Sequence, residues 1–489
     1  MNRQITRVAV VALVLLAALI VATTYWQAYA APELADRQDN SIQRVAQFTV
    51  DRGEIYAADR RTKLATNRRV RVAGQTLYFR RYPTRGLAAH IVGYSTQVRS
   101  RAGLERSEND FLTGANSNLN TVVDTTLDKL RGATVRGNDL ITTIRPGAQR
   151  LAVNALGGKC GAAVALEPST GRVLVSVSSP TYDPNLVEEN FAAAERSRWG
   201  CGPLVNRVTQ GLYTPGSTFK VVTATAALGS GQYAPESTFN DPGFCEEYGQ
   251  RVNNYDTSTP FGTVNLVQAM QNSINSVFCN IGKDLGGLAI VETMRRFGFY
   301  SVPPLETPVN ERFASGLYNS AGKLVQPTNE GQVDPGRLAF GQGPSHAEPK
   351  VTPLQLAIVA ATIANGGRLM KPYVVDRIIA PGGSTVMRTR PDEIGQVIEA
   401  GHAGSIAHMM EQVVRGGTGT AAALPGIRVA GKTGTAETGR EGRNITSFVA
   451  FAPVDRPRVA VAVMLENQSG TGGTTAAPIA RTIMQALLG

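Results

Sequence analysis

The chain has 489 residues, a formal net charge of +11, 42% hydrophobic residues and 18% charged residues. At roughly 100–200 residues per domain this length predicts two to four folding units, and the composition excludes an intrinsically disordered chain. Only one stretch is apolar enough to meet a bilayer, which excludes a multi-spanning transporter.

The first predicted element is a membrane helix. Arg3 and Arg7 precede an uncharged apolar run at residues 8–22, and the residues up to Trp26 extend that run to 19, close to the roughly 20 that a spanning helix needs. The positive charge before the run and the Tyr25-Trp26 pair after it predict a single-pass anchor in the cell membrane, with the rest of the chain extracytoplasmic. A cleaved signal peptide is the alternative, because residues 28–30 (Ala-Tyr-Ala) resemble a cleavage site.

A basic segment follows the anchor. Residues 33–43 predict a polar linker, and short strands with Gly and Asn turns lead to about residue 150. Between Arg44 and Arg150 there are 19 Lys or Arg against 9 Asp or Glu. This charge fits anionic lipid or wall polymer. We do not expect nucleic-acid binding, since no zinc finger, RNP-like motif or base-reading helix accompanies it.

The rest of the chain predicts a sheet with helices packed on it. A helix opens at Pro146 and runs to about Leu156. Apolar runs at 163–166 and 172–177 flank a Pro/Gly turn, and strands at 447–452 and 459–465 precede a terminal helix at 477–488. We therefore expect an α/β (α+β) protein in three parts, with a cytoplasmic tail and anchor at 1–31, a smaller domain at 32–150 and a second domain at 151–489.

Four cysteines, Cys160, Cys201, Cys245 and Cys279, follow the predicted anchor. No C-x-x-C pair is present, so a structural zinc site is not indicated. Outside the cytoplasm two disulfides are the better interpretation, and three connectivities are possible. The sequence leaves the connectivity open, with a preference for Cys245–Cys279, which would bridge a loop to a helix.

The first chemical motif is S-x-x-K, at Ser217 and Lys220, directly after a Pro-Gly pair. The composition predicts a helix to Leu228, so Ser217 lies at or near a helix N-terminus with Lys220 on the same face. A serine hydroxyl becomes nucleophilic when a neutral lysine takes its proton, and burial at a helix N-terminus favours that neutral form. The alternative is that Ser217 is a plain helix N-cap.

Two further motifs add polar side chains. On a predicted helix, the S-x-N motif of Ser273 and Asn275 offers a hydroxyl to relay a proton and an amide to hold a substrate amide. The K-T-G motif of Lys432, Thr433 and Gly434 follows a strand-like run. Its lysine and threonine could bind a substrate carboxylate, and its glycine would let a ligand approach the backbone. Alone, S-x-N carries little information and K-T-G also fits a surface turn.

The order S-x-x-K, S-x-N, K-T-G resembles the serine acyl-transferases that include penicillin-binding proteins and β-lactamases. Other segments at residues 52–55, 341–343, 351–357 and 417–420 are similar to class B high-molecular-weight penicillin-binding proteins. About 120 residues between the anchor and the second domain are too few for the glycosyltransferase domain of class A proteins. The resemblance implies a penicillin-recognising transpeptidase domain, an antiparallel sheet flanked by helices, on a non-catalytic pedestal domain.

The same resemblance implies a D,D-transpeptidase in cell wall synthesis that cross-links peptidoglycan stem peptides and is acylated by β-lactams. Ser217 would attack the penultimate D-Ala carbonyl, with Lys220 as base. Ser273 would pass the proton to the leaving amine, and Asn275 would hold the substrate amide. The remaining implied roles are carboxylate binding by Lys432 and Thr433, and an oxyanion hole formed by the N–H groups of Ser217 and Thr435.

The resemblance implies neither a metal nor an organic cofactor. The expected protein partner is a polytopic glycosyltransferase of the shape, elongation, division and sporulation (SEDS) class, contacted through the anchor and pedestal. Two alternatives use the same motifs. A D,D-carboxypeptidase or β-lactamase would give the acyl group to water, and a β-lactam sensor or divisome or elongation scaffold would not catalyse.

Overall fold

The fold was analysed in a computed structural model that describes residues 2–26, 48–72, 74–115, 135–197, 200–255, 260–438 and 442–489. The cleavage-like site at 28–30 and the predicted linker at 33–43 lie outside these residues. Helix α1 (Asn2–Thr24) contains a 19-residue stretch, Thr6–Thr24, that is long and apolar enough to cross a membrane. The exposed apolar side chains along this helix are consistent with a membrane span.

Helices alternate with short strands through the described residues. The other α-helices are α2 (Ala89–Val92), α3 (Gly103–Ser107), α4 (Asn109–Thr113), α5 (Pro146–Leu156), α6 (Asn185–Glu189), α7 (Phe191–Ala194), α8 (Arg207–Gln210), α9 (Lys220–Gly229), α10 (Leu266–Gln271), α11 (Asn275–Leu285), α12 (Gly287–Arg296), α13 (Pro335–Leu338), α14 (Pro353–Ala364), α15 (Ala400–Gly416) and α16 (Gly472–Leu488). The 3₁₀ helices are Arg85–Ala88, Gly216–Phe219, Val309–Glu311, Glu330–Gln332 and Thr420–Ala422.

The strands are short except in the two larger sheets. They are β1 (Ile55–Tyr56), β2 (Lys63–Val72), β3 (Gln75–Arg81), β4 (Asp139–Thr142), β5 (Gly161–Leu166), β6 (Val173–Ser179), β7 (Thr238–Asp241), β8 (Phe244–Glu247), β9 (Gln250–Asn253), β10 (Gly262–Asn265), β11 (Gly316–Tyr318), β12 (Leu324–Val325), β13 (Glu348–Lys350), β14 (Arg368–Met370), β15 (Val375–Ile379), β16 (Thr385–Arg388), β17 (Glu393–Gln396), β18 (Ala430–Ala436), β19 (Asn444–Ala452) and β20 (Val459–Gln468).

The five-stranded sheet is antiparallel and buried on both faces. Its order within the described residues is β18-β19-β20-β5-β6. Alternate residues of β20 enter two different hydrophobic clusters, Val461 and Val463 on one face and Ala462 and Met464 on the other. Because successive side chains of a strand point to opposite faces, a sheet covered on both sides requires this continuous apolar run.

Helices cover both faces of this sheet, which confirms the predicted α/β (α+β) architecture. α16 and α5 pack together on one face, and the largely apolar, buried α14 packs on the other. The predicted hairpin around residues 167–171 is confirmed as β5 and β6, and the predicted helix from Pro146 to Leu156 is confirmed as α5.

The predicted start of the terminal helix at residue 477 is wrong, because α16 begins at Gly472. Thr471 caps it by accepting from the Thr474 N–H while the Thr474 side chain bonds back to the Thr471 backbone. Two glycines in the first turn conceal this start in the sequence, since glycine is a poor helix former. The capping box therefore sets the boundary.

A second sheet joins strands that lie far apart along the chain. Its order within the described residues is β16-β15-β4-β1-β2-β3. The inner strand β4 pairs in parallel with β1 and antiparallel with β15, where Thr142 lies opposite Val375. The expected boundary at residue 150 falls inside α5.

All four cysteines are paired in the structure. The bridges are Cys160–Cys201 and Cys245–Cys279, so the preferred Cys245–Cys279 pair is confirmed. Cys245 lies on β8 and Cys279 on α11. The second bridge therefore ties the β8–β9 hairpin to the helix that begins at Asn275.

Candidate active site

Ser217 lies in a tight 3₁₀ turn wedged between β18 and a second turn. The turn, Gly216–Phe219, leads directly into α9. Gly216 has a φ of +54°, its N–H donates to the Gly341 carbonyl at 3.1 Å, and a β-carbon there would lie 2.8 Å from the Thr435 carbonyl. Only glycine fits this backbone without strain. The Pro-Gly pair thus places Ser217 beside the exposed edge of the sheet.

Lys220 is the first residue of α9, and its side chain is buried. Its Nζ donates to the Ser273 carbonyl and to Asn275 Oδ1, both at 2.7 Å, and lies 3.3 Å from Ser273 Oγ. Burial lowers the pKa of Lys220 well below its usual value, and the charge of Lys432 lowers it further. Among the described residues no carboxylate pairs with Lys220, so burial favours the neutral form that a base at this position would need.

Ser273 does not lie on a helix, which corrects the prediction. It occupies the turn between α10 and α11 with a φ of +59°. The residues around it are helical in composition and contain no glycine or proline that would mark the break. A positive φ in a residue other than glycine is uncommon and marks a position held by its surroundings.

Asn275 begins α11, and its amide is fixed from both ends. Its Nδ2 donates to the Asn253 carbonyl on β9 at 3.0 Å, while its Oδ1 accepts from Lys220. These two contacts determine which end of the amide faces the lysine. The β8–β9 hairpin therefore orients a side chain in the cluster.

Lys432 reaches the same serine from β18. Its Nζ donates to Ser273 Oγ at 2.8 Å and to the Thr433 carbonyl at 3.1 Å. Burial lowers the pKa of Lys432 to about 7. The Ser273 hydroxyl thus lies between two lysines that belong to two different motifs.

The rest of the K-T-G strand presents hydroxyl groups. Thr433 Oγ1 lies 2.6 Å from Thr418 Oγ1, and Thr435 Oγ1 accepts from the Gly472 N–H at 3.2 Å. Packing within the protein also requires glycine at position 434, because a β-carbon there would overlap Ser447 Oγ. The protein itself crowds this position.

These groups surround a cleft of about 770 Å³. Ser217, partly exposed, lines it, whereas Lys220 and Lys432 are buried beneath the surface. All eight predicted site residues belong to this one region. The lining residues for which the sequence predicted no role include Arg251, Arg337, Gln342, Thr418 and Glu437.

Of these additions, Thr418 has the most direct contact with a predicted residue. It lies in a Gly-Thr-Gly-Thr stretch, a composition typical of a loop, and nothing in that pattern points to Thr433. The one sequence feature that pointed to this segment was the similarity of residues 417–420 to the family. That similarity did not assign a role to Thr418.

The arrangement suits nucleophilic acyl transfer. A hydroxyl at the start of a helix, a buried lysine with a lowered pKa and a second hydroxyl beside it could supply the nucleophile, the base and the proton path. Hydroxyl groups and a lysine on β18 can bind an anionic end of the substrate. No group of three or more His, Cys, Asp or Glu side chains within the described residues could hold a metal ion.

Two family models match the chain. The penicillin-binding protein transpeptidase domain matches residues 161–485, and the penicillin-binding protein A dimerisation domain matches residues 52–140. The first match covers more than half of the chain and contains all three motifs.

Relatives and solved structures agree with these models. The chain is 34% identical to the peptidoglycan D,D-transpeptidase PbpA of Mycolicibacterium smegmatis, over 100% of this chain and 99% of that protein. Its fold is similar to penicillin-binding protein A of M. tuberculosis in the ceftriaxone acyl-enzyme complex, with a TM-score of 0.80, 31% identity and coverage of 91% of this chain and 100% of the other. The penicillin G acyl-enzyme complex gives a TM-score of 0.78 at 32% identity, covering 90% of this chain and 100% of the other.

Proposed function

The chain belongs to the penicillin-binding protein transpeptidase family, and from this membership we propose that Ser217 is the nucleophile of a peptidoglycan D,D-transpeptidase. The enzyme cross-links stem peptides through a serine acyl-enzyme and is acylated by β-lactams. The family expected from the three motifs is confirmed, since the chain is 34% identical to the PbpA proteins of M. smegmatis and M. tuberculosis over its whole length.

In the proposed acylation, Ser217 gives its proton to neutral Lys220 as its Oγ attacks the penultimate D-Ala carbonyl. The N–H groups of Ser217 and Thr435 stabilise the oxyanion. When the C–N bond breaks, the proton passes from Lys220 to the leaving D-Ala amine through Ser273. The single observation that carries this proposal is the 3.3 Å separation of Lys220 Nζ and Ser273 Oγ.

Substrate binding uses the remaining motif residues. Asn275 holds the substrate amide, and Lys432 and Thr433 bind the terminal carboxylate of the stem peptide. Gly434 keeps β18 close to the nucleophile turn. In the second half-reaction an amine of a neighbouring stem attacks the acyl-enzyme, and its proton returns to Ser217 Oγ through Lys220.

The placement of the enzyme is part of the proposal. Residues 1–31 form the cytoplasmic tail and anchor, 32–150 the non-catalytic pedestal and 151–489 the transpeptidase domain on the extracytoplasmic side. The candidate membrane helix and the separate family match at residues 52–140 support this division. A SEDS-class glycosyltransferase that contacts the anchor and pedestal is the proposed protein partner.

Fluorescent penicillin tests the assignment of Ser217 and Lys220. We expect stable labelling of the full chain and loss of labelling in Ser217→Ala and Lys220→Arg, since arginine does not deprotonate in proteins. Ser230→Ala and Lys323→Arg, which change residues outside the cleft, are the matched controls.

Each departure from this result has a distinct meaning. Labelling that fades within seconds would favour a carboxypeptidase or β-lactamase. Labelling that persists in Ser217→Ala would refute the nucleophile. A folded wild-type protein that takes no label would favour a sensor or scaffold.

A further inference from the structure

The β2–β3 hairpin extends well beyond the six-stranded sheet. β1 pairs with β2 only at Lys63 and Ala65, whereas β2 and β3 pair continuously from Thr66 opposite Arg81 to Val72 opposite Gln75. We name residues 66–72 and 75–81 the basic arm. Its outer part has no strand neighbour among the described residues, and Arg68, Val72 and Arg81 on one of its faces are exposed.

The root of the basic arm is fixed by hydrogen bonds to the pedestal. Asn67 Nδ2 donates to Asp51 Oδ1 at 2.9 Å, and Arg80 Nη1 donates to Asn67 Oδ1 at 3.0 Å. Arg80 Nε also donates to Glu105 Oε1 at 2.7 Å, and Glu105 is completely buried. The arm therefore projects from a rigid base.

One face of the basic arm has an apolar tip and a cationic root. Alternate residues of paired strands share a face, and this places Val70, Val72 and Leu77 together near the tip. Val72 is 50% exposed. Arg68 and Arg81 belong to the same face nearer the root, where both are exposed.

The charge on this face is not neutralised within the described part of the chain. Thr66 to Arg81 contains no Asp or Glu. Arg80 pairs with Glu105, and Arg69, on the other face, pairs with Asp51 at 3.2 Å. No carboxylate of the described residues lies within ion-pair distance of Arg68 or Arg81, so both can bind an external anion.

The position of the arm in the chain indicates which anion it meets. Residues 27–47 are all that separate Trp26 from Phe48, whose carbonyl accepts the Tyr78 N–H of the arm at 2.7 Å. The Phe48 ring also lies 5.4 Å from that of Phe79. The first described residues after the membrane helix therefore pack directly on the arm.

We propose that the basic arm docks on anionic lipid headgroups of the membrane that holds α1. Arg68 and Arg81 bind the phosphate groups, and the tip with Val70, Val72 and Leu77 enters the interface beneath them. Long arginine side chains can reach headgroups while their stems stay on apolar surface, and anionic surfaces attract such residues within a Debye length. The inference rests on the proposed membrane anchoring and goes beyond the transpeptidase function.

An environment-sensitive dye on the arm tests this proposal in the full chain. All four native cysteines are in disulfides, so Gln75→Cys supplies a single free thiol at the tip for an NBD label. The labelled protein is incorporated into nanodiscs of phosphatidylcholine alone or with phosphatidylglycerol. We expect a blue shift and brighter emission only in the anionic discs, reduced at high salt.

A matched pair of double variants separates the arm from general charge effects. Arg68/Arg81→Gln should lose most of the blue shift, whereas Arg388/Arg390→Gln, at exposed positions near the opposite edge of the same sheet, should keep it. Fluorescent penicillin should label both variants like the parent, which shows that they are folded and separates this proposal from the enzymatic one.

Several results would overturn the proposal. Equal emission in both kinds of disc, or a blue shift that persists in Arg68/Arg81→Gln, would exclude recognition of anionic headgroups by the arm. A blue shift that requires an added membrane protein would assign the arm to a protein partner instead. A chain that does not enter the discs would refute the anchoring and the docking together.

Discussion

At the scale of single residues, the Ser273 hydroxyl lies between two buried lysines, 3.3 Å from Lys220 Nζ and 2.8 Å from Lys432 Nζ. Burial lowers the pKa of both amines, and the Lys432 charge lowers the pKa of Lys220 further. A shared hydroxyl between two such groups lets the protonation of one lysine influence the other. In the proposed mechanism, where Lys432 binds the substrate carboxylate, this contact would link substrate binding to the basicity of Lys220.

This coupling predicts a pH effect of Lys432→Gln. With Lys220 as the proposed base, the acylation rate should fall as the pH drops through the pKa of Lys220. Removing the Lys432 charge raises that pKa, so the acid limb of the profile should move to higher pH. The measurement is the second-order rate of penicillin acylation against pH, and an unmoved acid limb would contradict the coupling.

Thr418 offers a second prediction at this scale. Thr418→Val removes the hydroxyl that lies 2.6 Å from Thr433 Oγ1. Loss of one neutral hydrogen bond costs about 1 kcal/mol, which is roughly a five-fold loss in acylation efficiency. Thr420→Val, an exposed neighbour, is the control. Equal losses in the two variants would mean that Thr418 does not orient Thr433.

The candidate site residues could be predicted from the sequence where they belong to a motif whose side chains suggest a chemical role. The S-x-x-K and K-T-G motifs pointed to Lys220 and Lys432, and the structure brings both to Ser273. Thr418 was not predictable in the same way, because its contact with Thr433 depends on how a loop approaches a strand. The reason for Gly434 also required coordinates.

At the scale of elements, proline and glycine residues correctly predicted where some helices and turns begin. Pro146 marks the start of α5, and Pro168 with Gly171 marks the turn between β5 and β6. Ser273 was placed on a helix because no Gly or Pro interrupts that stretch, yet it adopts a positive φ between two helices. Packing around Lys220 overrides the local helical tendency there.

The two disulfides support a prediction about the β8–β9 hairpin. Cys245–Cys279 ties this hairpin to α11, and the hairpin carbonyl of Asn253 orients Asn275. Replacing both cysteines with alanine should therefore slow penicillin acylation several-fold in protein that is still folded. The effect acts through Asn275, because Ser273 lies outside the helix.

The double variant Cys160→Ala/Cys201→Ala is a matched control. The two bridges span 34 and 41 residues, so their removal costs a similar ~2–4 kcal/mol of stability through the unfolded state. Acylation rates are compared per folded molecule. If both variants slow to the same degree, the Cys245–Cys279 bridge has no special role at the cleft.

At the scale of the whole molecule, the carboxylates of Glu108 and Glu306, far apart in the sequence, lie near enough to repel each other. Burial, with Glu306 and Asp110 nearby, raises the pKa of Glu108 from about 4.5 to about 7. The folded state therefore binds a proton more tightly than the unfolded state, so this group reduces stability as the pH rises from about 4.5 through 7.

Glu108→Gln should remove this loss of folding stability at rising pH. The variant and the wild type should be similar in stability at low pH, and the variant should become more stable by on the order of 1–3 kcal/mol above neutral pH. Thermal unfolding at several pH values measures the difference. Glu236→Gln, at an exposed position, should show no such trend, and a parallel pH dependence of Glu108→Gln and the wild type would refute the prediction.

The six-stranded sheet has a consequence for biosynthesis. Its inner strand β4 pairs with β15, roughly 230 residues further along the chain. A polypeptide emerges from the ribosome with its N-terminal end first. The edge of β4 that pairs with β15 therefore stays unpaired until β15 has been synthesised. The N-terminal domain therefore cannot complete its fold as an independent unit. A chaperone that shields β4 during this interval would protect the nascent chain from pairing with a neighbour.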